Sequence, residues 1–173
     1  LAPPAGRQGK GKGRRRLTGE SAMFKDKLDW NYWSDDLEMG IASIDDDHRR
    51  ILALIGTLRD AIDSPDPHPV IIATLATLRD YADRHFRREE AMLATSGYPN
   101  LTSHRQVHDS FRDYTRHPSE DDALPNAVLM LSYLVNWWTG HIVTDDKQYR
   151  DHVLRHPEAI AAAEAFPPIL PED

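Results

Sequence analysis

The 173-residue chain contains no cysteine. That absence excludes a disulfide-stapled secreted scaffold, a thiol nucleophile, and any zinc or iron–sulfur site built on thiolates, so a transition metal would have to be held by nitrogen and oxygen ligands. Long apolar runs are also missing. No uninterrupted stretch approaches the roughly 20 apolar residues that cross a bilayer, and no membrane span is expected. The start of the chain carries no apolar central stretch of a secretory signal, which points to a cytoplasmic protein. Basic charge is scarce where a globular body would be: residues 1–22 hold six Lys/Arg against Glu20, while 23–173 hold 15 basic and 27 acidic residues. An acidic body lacks the basic face that phosphate contacts need, so no nucleic-acid partner is expected.

With 40% hydrophobic and 28% charged residues, the chain suits one globular domain of ordinary size. Five of its nine glycines fall within residues 1–19, beside Pro3, Pro4 and Arg14–Arg16. This composition cannot offset its ordering entropy, and residues 1–22 are expected to be a disordered basic extension, or an appended non-native stretch if Met23 is the native start. Residues 24–44 read as an extended arm, irregular and aromatic, with Trp30, Tyr32 and Trp33.

Helical periodicity then takes over. Ile44, His48, Ile51, Ile55, Leu58 and Ile62 recur every three or four residues and stop at the proline-rich turn after Asp63. Asp66 and Pro67 form a start signal for a second stripe of Ile71, Leu75, Leu78, Ala82, His85, Glu89 and Met92, predicted to run to about Thr95. Gly97 and Pro99 punctuate a turn, after which Leu101, His104, His108, Phe111 and Thr115 make a shorter stripe closed by His117-Pro118. A final long helix is predicted, introduced by Glu120–Asp122 and Pro125 and marked by Leu131, Leu134, Val135, Trp138, His141, Ile142, Asp145 and Tyr149. Four amphipathic helices on short connections predict an all-α, antiparallel up-down-up-down four-helix bundle. Residues 23–156 would form that domain, and 157–173 a C-terminal tail with one short helix.

The chemistry lies in where the histidines fall. His48, His85, His104, His108 and His141 each sit within a helix's apolar stripe, and five imidazoles in one core would leave many buried nitrogens unpaired unless they share a metal. Glu89 follows His85 by four residues and His108 follows His104 by four, so each pair shares a face. The last helix is less simple. Asp145 lies one turn from His141, whereas Asp146, five residues on, is about 140° off in an ideal helix unless a π-bulge widens the turn. Five imidazoles and two carboxylates are too many for one zinc and suit two first-row metals, iron ahead of manganese or zinc. His68, His117, His152 and His156 read as solvated or capping residues.

These residues resemble the hemerythrin family, specifically the bacterial hemerythrins, across roughly residues 28–152. The family pattern of an isolated His, His-x-x-x-Glu, His-x-x-x-His and His-x-x-x-x-Asp is met by His48, His85 with Glu89, His104 with His108, and His141 with Asp146. Ile44-Asp45-Asp46-Asp47-His48, His85-Phe86-Arg87-Arg88-Glu89-Glu90-Ala91-Met92, Tyr98-Pro99-Asn100 and Tyr149 fit as well.

The resemblance implies two iron ions per chain, bridged by Glu89, Asp146 and an oxo or hydroxo group. His104, His108 and His141 would hold one iron, and His48 and His85 the other, whose open position binds O2 reversibly. It also selects Asp146 over Asp145, which becomes a solvent-facing neighbour. Carried over by position, Ile51, Ile55, Phe86, Trp137 and Trp138 would line a dry oxygen pocket. Trp138 departs from the family, which usually has leucine there, and is expected to narrow that pocket.

The function implied is O2 storage, delivery or sensing by a monomeric binding protein with no further partner specified. The rivals are a di-iron oxidase or peroxide-reducing enzyme, and the sensory module of a longer signalling protein.

Overall fold

The computed structural model describes residues 33–116 and 127–167. The basic extension 1–22, Trp30 and Tyr32 of the arm, His117, the acidic lead-in Glu120–Asp122 with Pro125, and the tail beyond Pro167 lie outside the described residues.

Four helices form the body: α1 (Ala42–Ile62), α2 (Pro67–Thr95), α3 (Leu101–Thr115) and α4 (Ala127–His141). The last continues without a break through a π turn, Ile142–Asp146, into α5 (Lys147–Val153). A short α6 (Pro157–Glu164) follows and packs on α2 and α1. No strand occurs among the described residues. Adjacent helices pack in a ring: α1 touches α2 and α4, and α2 touches α3. The fourth seam, α3 to α4, is closed by aromatic rings, with Phe111 4.4 Å from Trp137 and Tyr114 3.7 Å from Tyr133 between centroids. This is the antiparallel four-helix bundle that the periodicity predicts. No helix among the described residues is long and apolar enough to cross a membrane.

The turn between α2 and α3 fixes how two ligand-bearing helices meet. Gly97 sits at φ 65°, the left-handed region open to glycine, so that Tyr98 N–H reaches Leu93 O at 3.0 Å and Gly97 N–H reaches Ala94 O at 3.2 Å. That is a Schellman close, and it satisfies carbonyls that the helix end would leave orphaned. Pro67 opens α2 as predicted, although the Asp66 side chain makes no capping bond. The arm is pinned ahead of α1, with Asp45 accepting the N–H groups of Met39 at 2.7 Å and Gly40 at 3.0 Å, and Arg150 Nε donating to Met39 O at 2.9 Å.

The core comes in two apolar clusters. One holds Ile51, Ile55, Leu78, Phe86, Phe111, Leu134, Trp138 and Ile142; the other holds Met39, Ile41, Ile44, Met92, Tyr149, Val153 and Ala159. Along α1 the change from one cluster to the other falls at His48, along α2 at Glu89, and along the fourth helix at Asp146. A buried polar layer is therefore sandwiched between two dry ones.

Candidate metal centre

Every helix of the bundle contributes to that layer. His48 comes from α1, His85 and Glu89 from α2, His104 and His108 from α3, His141 from the end of α4, and Asp146 from the end of the π turn. His48, His85, Glu89, His108 and Asp146 are fully buried, with His104 at 6% and His141 at 2% exposure. Such burial of five imidazoles and two carboxylates is costly without compensation.

The carboxylates lie between the rings. Glu89 Oε1 is 3.5 Å from His104 Nε2, and its Oε2 is 3.2 Å from His108 Nε2 and 3.5 Å from His85 Nε2. Asp146 Oδ1 is 3.1 Å from His141 Nε2 and 3.6 Å from His104 Nε2, while its Oδ2 faces His48 Nε2 at 3.3 Å. Ligand atoms of Glu89, His104, His108 and His141 all lie within 4.8 Å of one another, an arrangement able to hold a metal ion.

The seven residues thus converge as one group with two ends, three imidazoles at one and two at the other. Both oxygens of Glu89 and of Asp146, and the Nε2 atoms of His48, His85 and His104, are buried with no hydrogen-bond partner among the described residues. Orphans of this kind cost about 1–3 kcal/mol each. Nitrogen and oxygen donors aimed at a common centre fit first-row metal ions.

The π turn explains how Asp146 takes part. Closing i to i+5 instead of i to i+4 brings the fifth residue over the first. Asp146 then faces Nε2 of His141, and Asp145 falls on the other edge of the ring, its Oδ2 3.4 Å from Nδ1. Asp145 is only 31% exposed. It corrects the expectation of a merely solvent-facing neighbour, because its carboxylate fixes the His141 ring.

Two further histidines are held the same way. His108 Nδ1 is 2.9 Å from Glu90 Oε1, which also accepts from Arg112 at 3.2 Å. His85 Nδ1 is 3.3 Å from Asp47 Oδ2, and Asp47 accepts from Tyr81 Oη at 2.9 Å and from Arg88 Nη1. A carboxylate on Nδ1 fixes the ring and keeps a proton on that nitrogen, so that Nε2 is the atom left to give its lone pair to a metal once its own proton is lost. Asp47 and Glu90 were visible in the sequence beside ligands. Their roles were not, since an acid next to a buried residue on a helix ordinarily turns to solvent.

Electrostatics follow the same geometry. Burial pushes Asp146 up to about 7, helped by the nearby Glu89 charge. Glu89 is also penalised by burial, but His104, His108 and His85 hold it well below the ordinary carboxylate value. Burial alone would depress His108, yet the adjacent Glu89 and Glu90 carboxylates carry it up to about 9, and His104 is raised by Glu89 and Asp146 against its own burial. His48 is depressed to about 4, chiefly by burial.

A metal ion must displace the protons on His104, His108 and Asp146, so apparent metal affinity is expected to rise with pH, more steeply below about 7 than between 7 and 9, and to level off above about 9. Metal titrations across that range, in buffers of different ionisation enthalpy, will read the released protons. An affinity that is flat with pH would contradict these protonation states.

The sequence profile described as "Hemerythrin HHE cation binding domain" matches residues 39–153, which takes in all seven converging residues. The chain belongs to the hemerythrin family. It is 33% identical over 129 residues to a bacteriohemerythrin of Stenotrophomonas maltophilia, covering 72% of this chain and 82% of the relative. Identity is 34% over 129 residues with that of Pseudomonas aeruginosa (72% and 81%), and 30% over 126 residues with that of Clostridium acetobutylicum (69% and 98%). The family implies a non-heme iron site, and the His/Glu cluster of this hemerythrin domain is where it would be held.

The residues expected around an oxygen pocket divide. Ile51, Ile55, Phe86 and Trp138 are buried in one cluster. Between ring centroids, Trp138 lies 5.6 Å from His85 and 6.4 Å from His48, whereas Phe86 bridges the two sides, 5.6 Å from His85 and stacked on His108 at 4.0 Å. Trp137 instead stacks on His141 at 4.5 Å, on the three-histidine side. The Trp138 indole N–H is buried without a hydrogen-bond partner among the described residues. Of the histidines set aside, His152 contacts Ser96 O at 2.9 Å and His156 contacts His152 O at 2.8 Å, as helix-end residues do.

Proposed function

We propose that this hemerythrin domain binds O2 reversibly at two iron ions held by His48, His85, Glu89, His104, His108, His141 and Asp146 with an oxo or hydroxo bridge. The carrying observation is the asymmetry of the layer. Three imidazole nitrogens converge at one end and two at the other, with a carboxylate that turns one oxygen to each: Asp146 Oδ1 faces His141, and Oδ2 faces His48. A pair of irons held there would supply a reversible redox change, and His48 and His85 would give the second iron fewer protein ligands than the first.

The rest is work for the protein. Trp138, Phe86, Ile51 and Ile55 keep water away from that side, and a water-excluded pocket is what prevents irreversible loss of electrons from the centre. Glu90 and Asp145 hold two rings of the three-histidine side in place. Storage, delivery and sensing all use this same binding event, and we take the protein to be a cytoplasmic monomer.

The test is an optical spectrum of the reduced, iron-loaded protein through repeated admission and removal of O2. An oxygen-dependent band that appears and disappears over several cycles is expected. Permanent oxidation in the first cycle, with turnover on adding a reductant, would replace the reading by enzymatic or redox-sensing chemistry.

Trp138 sets how fast the exchange runs. Trp138→Leu is expected to raise the O2 off-rate about tenfold, equivalent to roughly 1.4 kcal/mol of barrier, while iron content stays the same. Unchanged kinetics in the variant would remove Trp138 from the access route.

A further inference from the structure

The two ends of the layer are supported unequally. On the three-histidine side two rings have their Nδ1 atoms fixed from outside, His108 by Glu90 and His141 by Asp145, through carboxylates whose side chains are 16% and 31% exposed. On the two-histidine side, His48 Nδ1 has no hydrogen-bond partner among the described residues. The orientation of that side therefore depends on His85, and His85 depends on Asp47, whose side chain is only 4% exposed.

Asp47 is immobilised. Tyr81 Oη donates to its Oδ1 at 2.9 Å, and the buried Arg88 donates through Nη1 to its Oδ2, the same oxygen that faces His85 Nδ1. Arg88 is itself fixed at both arms of its fork, by Ser43 O at 3.4 Å from Nη1 and by Pro167 O at 3.2 Å from Nη2. A planar guanidinium serves these acceptors at once in a way that a lysine ammonium on its flexible stem does not. Pro167 lies past α6 and outside the stretch that matches the family profile, 39–153. The clamp therefore joins α1, α2 and the C-terminal segment at one carboxylate.

We propose that Asp47, locked by Arg88 and Tyr81, is the positioning residue for the two-histidine metal side alone. This rests on the two-metal reading above. With its carboxylate unable to rotate, Asp47 keeps the proton on His85 Nδ1 and holds Nε2 toward Glu89. Loss of this contact releases the ring at the side with the fewest protein ligands, and outer partners of this kind contribute about 10–100-fold in metal affinity.

Anaerobic titration of metal-free protein with Fe(II), read as stoichiometry and as two separate binding constants, tests the proposal. Asp47→Asn keeps the shape and removes the charge; it should weaken one of the two ions about 10–100-fold and leave the other within about twofold. Arg88→Lys, which keeps the positive charge and loses the fork, should weaken the same ion by less, and it serves if Asp47→Asn does not fold. Adding Asp145→Asn, aimed at His141, should then weaken the other ion. Equal weakening of both ions by Asp47→Asn, no weakening, or loss of the same ion by Asp47→Asn and Asp145→Asn would overturn the proposal. A single ion in the unaltered protein would instead overturn the two-metal reading itself.

Discussion

Glu89→Ala is expected to leave one iron or none per chain in place of two, and to lower the melting temperature of the iron-loaded protein by about 12 °C. Glu89, like Asp146, faces both ends of the layer, with Oε1 toward His104 and Oε2 toward His108 and His85. An ion present at about 1,000 times its Kd stabilises a fold by roughly 4 kcal/mol, and each kcal/mol is worth about 3 °C in a domain of this size. Metal analysis and melting with and without chelator check it together. Chelation should lower the melting temperature of the parent protein by more than that of the variant. Two irons in Glu89→Ala would refute its place in the ligand set.

The second large effect separates two adjacent residues. Asp146→Asn is expected to lose at least one iron, because Asp146 turns one oxygen to His141 and the other to His48. Asp145→Asn should retain both irons, with the one on the His141 side bound about 10–100-fold more weakly, since Asp145 acts through the His141 ring and not on the metal. The two variants differ by one position in the chain and by opposite edges of one imidazole. Equal iron content and equal affinity in both would contradict the roles assigned.

That pair also marks where sequence reasoning reaches its limit. The stripes through Ile44–Ile62, Ile71–Met92 and Leu101–Thr115 fix helices, because burial of one apolar face dominates their energetics. The same stripes carry His48, His85, Glu89, His104 and His108, so most of the converging residues are legible from period alone. Asp146 is not, because an ideal helix puts it on the wrong side, and only a widened turn or a family resemblance selects it. The π turn at Ile142–Asp146 supplies the physical reason.

Asp47 and Arg88 were illegible for a different cause. Both are charged residues on helices, ordinarily solvated, and their burial at 3% and 5% exposure depends on each other and on partners distant in sequence: Tyr81 and Pro167. Trp137 shows the converse. It neighbours Trp138 in the chain, but successive helix positions face about 100° apart, and it stacks on the ring at the other end of the layer.

Titrating metal-free protein with Fe(II) under anaerobic conditions, followed by Mössbauer spectroscopy of the loaded sample, asks whether one buried layer holds two coupled metal ions with unequal ligand sets. Saturation is expected at two irons per chain, with two distinguishable iron environments that become magnetically coupled on oxidation. Saturation at one iron, or two irons showing no coupling after oxidation, would contradict the two-metal reading.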